Sequence, residues 1–372
     1  MKIPIFELER VQSLFENTVD YNLTESGFHP YTLNELLDKE QLENLNNLVL
    51  SYGQTNGSIP LRRRISDLYD ETNVDNILVT NGSAEANFIA CHTLLEEGDE
   101  VVMMLPNYMQ IWGIAEEMGC SVKGFSLSAD DKWAPDLAEL REKVTSKTKM
   151  IAICNPNNPT GYILTKEEMK EVIAIAKSVD AWIFSDEVYR GAELNGITIN
   201  SFLGMYDKVL VNGGLSKAYA LPGLRLGWLA GPEKMIADSW AYSDYTSITA
   251  GIMSHFLGEI ALRPDKRQEI LARNRAMLNE NLAVVKEWLD QYGNLFEYID
   301  PQGGGMLFIK YNLEINSTEL AEWLRTEKSV FILAGDTFGM DKYFRIGIGA
   351  PKEYLLEGLE RVKEALKERF GV

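Results

Sequence analysis

The sequence predicts an α/β fold: a mainly parallel sheet covered by helices on both faces, with a smaller α+β domain toward the C-terminal end. Three observations predict it. Short apolar runs alternate with helix-period segments through the middle of the chain, the pattern of successive strand–helix–strand units. After about Ser239 the alternation stops, and long helical segments give way to strands in quick succession. The length, 372 residues, exceeds what one core usually organises. The expected division is a large domain over 40–265 and a small one formed by 1–39 together with 266–372.

In chain order, the runs Ile77–Thr80, Glu100–Leu105, 150–153, 182–185 and 209–212 read as buried strands, and helical patterns over 84–96, 108–118 and 166–177 separate them. Thr165 and Glu168 form the capping-box pair that starts the third helix. Strands joined through helices lie parallel, with helices on both faces. A mostly helical stretch then reaches about residue 291 and includes the charged run 265–288. Strands are expected at 296–299 and 305–311, a helix at 318–326, strands at 330–333 and 343–348, and a closing amphipathic helix over Lys352–Phe370. The N-terminal segment is expected to pack against this last part. No repeat or Pro/Gly-rich linker interrupts the chain.

Hydrophobic residues at 45% and charged residues at 24% are the balance of an ordinary soluble protein. The net charge of −19 argues against nucleic acid or an anionic membrane as partner. A small anionic ligand then requires local cations, so isolated arginines matter. Cys91, Cys120 and Cys154 are odd in number and lack CxxC spacing, which suits free thiols in a reducing compartment. With only His29, His92 and His255, a histidine-rich metal centre is excluded and no metal is expected. Residues 1–16 carry charges inside their apolar run, unlike a signal peptide. No stretch approaches the roughly 18 apolar residues of a membrane span. A cytoplasmic location is expected.

The strongest local signal is Gly214-Leu215-Ser216-Lys217-Ala218-Tyr219, followed by Gly223-Leu224-Arg225-Leu226-Gly227. A lysine in a tight loop after a buried strand is open to desolvation, which lowers its pKa and makes the amine nucleophilic toward an aldehyde. Arg225 adds a forked cation suited to phosphate. Alone, the Ser–Lys pair would be an exposed lysine and nothing more. Four further segments lie just past strand ends. Asn81-Gly82-Ser83-Ala84 turns from strand into helix and frees N–H groups for an anion. Pro106-Asn107-Tyr108 sets an aromatic ring at a strand end, where it can stack on a planar group or simply pack. Asn155-Pro156-Asn157-Asn158-Pro159-Thr160-Gly161 fixes a loop that presents side-chain amides. Asp186-Glu187-Val188-Tyr189 brings a carboxylate suited to a pyridine nitrogen. Each is weak alone. Their shared place at the C-terminal ends of strands, where open α/β sheets bind ligands, joins them.

In order and spacing these motifs resemble the class I/II aminotransferases, the aspartate-aminotransferase-like, fold type I group of pyridoxal-phosphate enzymes, over essentially the whole chain. The resemblance implies pyridoxal 5'-phosphate as cofactor, held as a Schiff base on Lys217. It implies that Asp186 pairs with the ring nitrogen, that Tyr189 and Asn158 bond the ring hydroxyl, and that Tyr108 stacks on the ring. Gly82, Ser83, Ala84 and Arg225 would hold the phosphate, joined by Tyr52 of a neighbouring subunit, so a homodimer is expected, and Ser216 would also touch the cofactor. Arg345, in Tyr343-Phe344-Arg345-Ile346-Gly347, matches the family arginine that grips the substrate α-carboxylate, and Gly27 matches a substrate-side glycine loop. Catalysis would then rest on Lys217, Asp186 and Tyr189, moving an amino group between an amino acid and a 2-oxo acid.

Ser26-Gly27-Phe28-His29 and the stretch 215–228 resemble capreomycidine-synthase-type members of the group, so a lyase or cyclase on the same scaffold is the alternative. A nicotinamide dehydrogenase does not suit the sequence: no GxGxxG opens a helix, and Gly303-Gly304-Gly305 leads into a strand. A dicarboxylate donor would require a second cation, for which Arg190 is the nearest candidate. If the backbone is extended there, Arg190 and Tyr189 point to opposite sides, and Arg190 is a surface or subunit-contact residue. The early loop offers Thr24, Glu25, Ser26 and His29, so a neutral or basic amino donor is expected ahead of aspartate.

Overall fold

The computed structural model describes residues 3–372; the first two residues of the 1–39 segment lie outside that range. In chain order the strands are β1 (Tyr21–Asn22), β2 (Ile77–Thr80), β3 (Glu100–Leu105), β4 (Ser121–Ser128), β5 (Ala134–Pro135), β6 (Thr148–Cys154), β7 (Trp182–Asp186), β8 (Val209–Gly214), β9 (Gly227–Ala230), β10 (Phe296–Tyr298), β11 (Met306–Tyr311), β12 (Val330–Phe331), β13 (Leu333–Ala334) and β14 (Tyr343–Gly347).

Eight of them form one sheet in the order β2-β9-β8-β7-β6-β3-β4-β5. From β8 through β4 every neighbouring pair is parallel, and β9 runs antiparallel to both β8 and β2. Strands β2, β3, β6, β7 and β8 therefore end at the same edge. Side-chain alternation builds a core on each face. Val79, Val102, Met104, Ile151, Ile153 and Val211 enter one cluster, while Leu78, Val101, Met103, Met150, Ala152 and Leu210 enter the other. All four residues of β2 are buried, and so are all six of β8. This is why both strands open as apolar runs, 77–79 and 209–211.

The second sheet is antiparallel, in the order β10-β11-β14-β13. The 27-residue helix Pro264–Asp290 precedes it and Lys352–Phe370 closes the chain. The N-terminal segment joins this part through β1, which pairs in parallel with β12 by Tyr21↔Val330 and Asn22↔Phe331.

The sequence pattern misses β1, β4, β5 and β9. Strand β4 lies toward an edge of the sheet, mixes exposed and buried positions, and holds Gly124, where a Cβ would collide with the Leu105 side chain. Such a strand lacks the apolar run that marks a central one. Strand β9 is four residues long and lay hidden inside the glycine-rich stretch after Lys217. The pattern also leaves out the helices Glu7–Phe15, Lys39–Asn46 and Ile59–Ser66. The Thr165–Glu168 capping box is present, with Glu168 N–H donating to Thr165 Oγ1 at 3.2 Å and Thr165 N–H to Glu168 Oε2 at 2.7 Å. The three cysteines are free and buried. Among the described residues no helix is long and apolar enough to cross a membrane.

Candidate active site

Five strand ends deliver the site. After β8 the chain turns through Ser216 and Lys217 and returns as β9, which lies beside β2. The return leaves no room for side chains: a Cβ on Gly227 would sit 2.5 Å from the Gly82 carbonyl carbon and from the Ser83 nitrogen. Gly82, at φ +85°, opens the helix Ser83–Leu94, and no side chain caps that helix start. Its first N–H groups and the positive end of its dipole face outward. A Cβ on Gly82 would meet Arg225 Nη2 at 2.6 Å, so the guanidinium lies directly over this turn. Arg225 is held in the left-handed region at φ +46°, and its Nη1 donates to Pro222 O at 3.1 Å and to Ser216 Oγ at 3.5 Å. A non-glycine residue in that region costs about 1–3 kcal/mol, a strain typical of ligand clamps. Gly82, Ser83, Ser216 and Arg225 thus form one cradle for an anion. Ala84 is the second residue of the helix, and its carbonyl accepts from Gln110 Nε2 at 3.0 Å.

Asp186, the last residue of β7, accepts from the N–H of Val188 at 3.2 Å. Burial pushes its carboxyl up to about 6, against the Val188 N–H and the Asn212 and Asn87 amides, which favour the charged form. The two amides are linked in turn: Asn212 Nδ2 donates to Asn87 Oδ1 at 2.8 Å, and Asn87 Nδ2 to Gln110 Oε1 at 3.0 Å. Tyr108 lies near enough for the Asp186 and Tyr189 charges to act on it, and burial followed by Glu9 pushes its hydroxyl far up. That hydroxyl donates to Glu9 Oε1 at 2.7 Å, and Phe6 meets the ring edge-on at 4.7 Å.

Arg345, on β14, is 1% exposed. Its Nη1 donates to Asn158 Oδ1 at 2.7 Å and its Nη2 to Thr24 O at 2.6 Å, while Nε has no protein partner. With its oxygen engaged, Asn158 has only its Nδ2 hydrogens to offer a ligand. The Tyr189 hydroxyl shares a hydrogen bond of 2.8 Å with Ser26 Oγ. Lys217 Nζ donates to Glu25 Oε1 at 2.8 Å and to Ser26 Oγ at 3.1 Å, and Gly27 N–H donates to the same Glu25 oxygen at 2.8 Å. A Cβ on Gly27 would lie 3.8 Å from Lys217 Cδ, which seats Gly27 against the lysine.

This corrects one expectation. Desolvation was expected to lower the Lys217 pKa. Burial does pull it down, but the Glu25 carboxylate and then Tyr189 outweigh burial and hold the amine at about 12. The same pairing with Lys217 brings Glu25 down to about 2.

The family profile for aminotransferase class I and II matches residues 19–362. The chain belongs to that family. It is a pyridoxal-phosphate-dependent aminotransferase. A PLP-dependent aminotransferase from Streptococcus suis 89-1591 superposes with a TM-score of 0.93 at 34% identity, over 99% of both chains. Capreomycidine synthase of Streptomyces vinaceus is 28% identical, over 93% of this chain and 89% of its own. Aspartate aminotransferase of Pyrococcus horikoshii is 28% identical, over 84% and 82%.

The residues present fit the cofactor. The aminotransferase has an uncapped helix start under an arginine, a cradle that a Cβ at Gly82 or Gly227 would fill, and a buried Asn212 Oδ1 without a protein partner behind Asp186. Replacing Gly227 with alanine is therefore expected to weaken cofactor affinity by about tenfold or more, since the new methyl must displace the Gly82–Ser83 peptide. Fluorescence titration of the cofactor-free protein with pyridoxal phosphate checks this, and unchanged affinity would contradict the cradle.

The structure brings together Lys217, Ser216, Asp186, Tyr189, Asn158, Arg225, Arg345, Gly27, Gly82, Ser83 and Tyr108. Tyr52 stands apart at 84% exposure, with no hydrogen bond to the cluster. Arg190 is not a surface residue, since its side chain is 19% exposed. The backbone there turns instead of extending, with Arg190 N–H donating to Glu187 O at 2.9 Å. Its side chain runs inward to Ile199 O and Leu68 O, both at 3.0 Å, over the Tyr69 ring. Sequence reasoning missed Glu9, Asn87, Asn212 and the pairing of Glu25 with Lys217. None of these sits in a recognisable motif. Asn212 alone carried a signal, as a polar residue inside the apolar run of β8.

Proposed function

We propose that Lys217, Asp186, Tyr189, Asn158, Arg225 and Arg345 carry out amino transfer from an amino acid to a 2-oxo acid. The observation that carries this reading is the buried Arg345, bridged to Asn158 and to Thr24, two residues from the Ser26 hydroxyl that accepts from the Lys217 amine. Arg345 grips the substrate α-carboxylate with a forked, desolvated cation, and this orients the α-carbon toward Lys217. Gly82, Ser83, Ala84, Ser216 and Arg225 hold the phosphate. Asp186 holds a proton on the ring nitrogen, Tyr189 and Asn158 donate to the ring oxygen, and Tyr108 covers one face of the ring. The bound cofactor supplies an electron sink for the pair left at the substrate α-carbon. Lys217 Nζ anchors the cofactor covalently between turnovers, takes the proton from the α-carbon and returns it on the other side of the transfer. Absorbance spectra of the half-reaction with a panel of amino acids test the reading. Release of ammonia without an added 2-oxo acid would favour the elimination or cyclisation alternative.

Residues 40–265 act in this reading as the cofactor domain, and 1–39 with 266–372 as the part that carries Arg345 and the substrate loop. Three free, buried thiols support a cytoplasmic, reducing location. We read the active unit as a homodimer in which Tyr52 reaches the partner's phosphate. In support, Tyr52 is exposed together with its chain neighbours Val49 and Leu50. Sedimentation at assay concentration is expected to give a dimer, and Tyr52→Phe is expected to weaken cofactor binding by several-fold. A fully active monomer would refute both.

A further inference from the structure

We infer that Glu25 selects the amino donor, favouring a side chain that carries an ammonium or guanidinium group and rejecting one that carries a second carboxylate. The inference rests on the reading of Arg345 as the α-carboxylate site.

Glu25 is fixed in the site by its backbone. The residue before it, Thr24, gives its carbonyl to Arg345 Nη2, so the substrate-carboxylate arginine and Glu25 stand one residue apart. Three glycines press on the loop from the C-terminal part. A Cβ on Gly347 would collide with Glu25 O, one on Gly349 with Gly27 O, and one on Gly305 would lie 2.5 Å from Ser26 O. The side chain is not fixed in the same way. It is 52% exposed and its Oε2 has no hydrogen-bond partner among the described residues. Oε1 already holds an ammonium, that of Lys217, at 2.8 Å. The lysine nitrogen here stands for the kind of group this carboxylate accepts. When Lys217 is engaged with the cofactor, the carboxylate is left facing the donor.

The surrounding charges decide the sign. Arg345 is committed to Asn158 and Thr24, and Arg225 lies over the Gly82 turn. Arg190 points away to Leu68 O and Ile199 O. Arg273, beyond the loop, is held by His29 O and Asn274 Oδ1 and stacks on Tyr31. Among the described residues, a donor's second carboxylate thus meets Glu25 without a free cation to receive it, whereas a donor cation meets a matched carboxylate.

The test uses Lys217→Ala loaded with pyridoxal phosphate, in which Glu25 has lost its internal partner. Arginine, ornithine, norvaline and glutamate are titrated against the absorbance of the bound cofactor. Arginine or ornithine is expected to bind about tenfold or more tighter than norvaline, with glutamate weakest. Glu25→Gln on the same background is expected to remove that preference while leaving norvaline affinity unchanged, which also reports an intact site. Equal affinity for basic and neutral amino acids, or a preference that survives Glu25→Gln, would overturn the role of Glu25 and leave the amino-transfer reading standing. Failure of every amino acid to perturb the cofactor would overturn both.

Discussion

Replacing Lys217 with alanine is expected to lower the rate of amino transfer by about 10⁴-fold or more, because in the proposed reading one nitrogen would serve both as covalent anchor and as proton carrier at the α-carbon. The protein should still take up cofactor, since the cradle around Gly82, Ser83 and Arg225 and the Asp186 carboxylate do not depend on the lysine. Borohydride should fix the cofactor to Lys217 in the parent protein and to no residue in the variant. Peptide mapping that placed the adduct on another lysine would overturn the assignment of the whole site.

Asp186→Ala is expected to slow cleavage of the α-carbon–hydrogen bond by about 10²–10³-fold, while weakening cofactor binding far less. A carboxylate against the ring nitrogen keeps that nitrogen protonated, and the protonated ring is what accepts the electron pair. A primary deuterium isotope effect on the half-reaction reads the step directly, and an unchanged rate and isotope effect would remove the role. The same residue sets a pH dependence. Burial raises its pKa to about 6, so its charge is present above that pH and lost as the pH falls through it. Cofactor affinity of the parent should therefore fall as the pH drops from 7 toward about 5, and this component should be absent in Asp186→Asn.

Both variants test residues whose positions were legible without coordinates, because each stands beside a strong local signal. Lys217 and Asp186 follow strands buried on both faces, and such strands announce themselves as apolar runs with a polar residue at the end. The parallel sheet was readable for the same reason, as was the helix Lys352–Phe370, whose periodic apolar stripe faces the small sheet. What escaped was set by long-range pairing. Glu25 meets Lys217 across 192 residues of sequence, and Asn212 meets Asn87 across 125. No local pattern encodes such contacts. The effect on Lys217 shows why this matters: burial, inferred from its neighbours, predicted a lowered pKa, and a distant carboxylate reversed the sign. Arg190 shows the converse. The assumption of an extended backbone was wrong, yet a turn sends Tyr189 and Arg190 apart just as extension would.

The attachment of the N-terminal loop has a consequence for how the enzyme is made. Leu23 N–H bonds to Phe331 O, Gly347 N–H to Leu23 O, and His29 N–H to Gly349 O. The segment that carries Glu25, Ser26 and Gly27 leaves the ribosome well before these backbone partners do. Until those partners emerge the loop lacks the backbone pairing that frames it, even if the cofactor sheet behind it, with Tyr189 and Lys217, is already assembled. Substrate recognition thus waits on the strands of the small domain, and a chain cut short before β14 would lack the frame that holds this loop, and Arg345 with it.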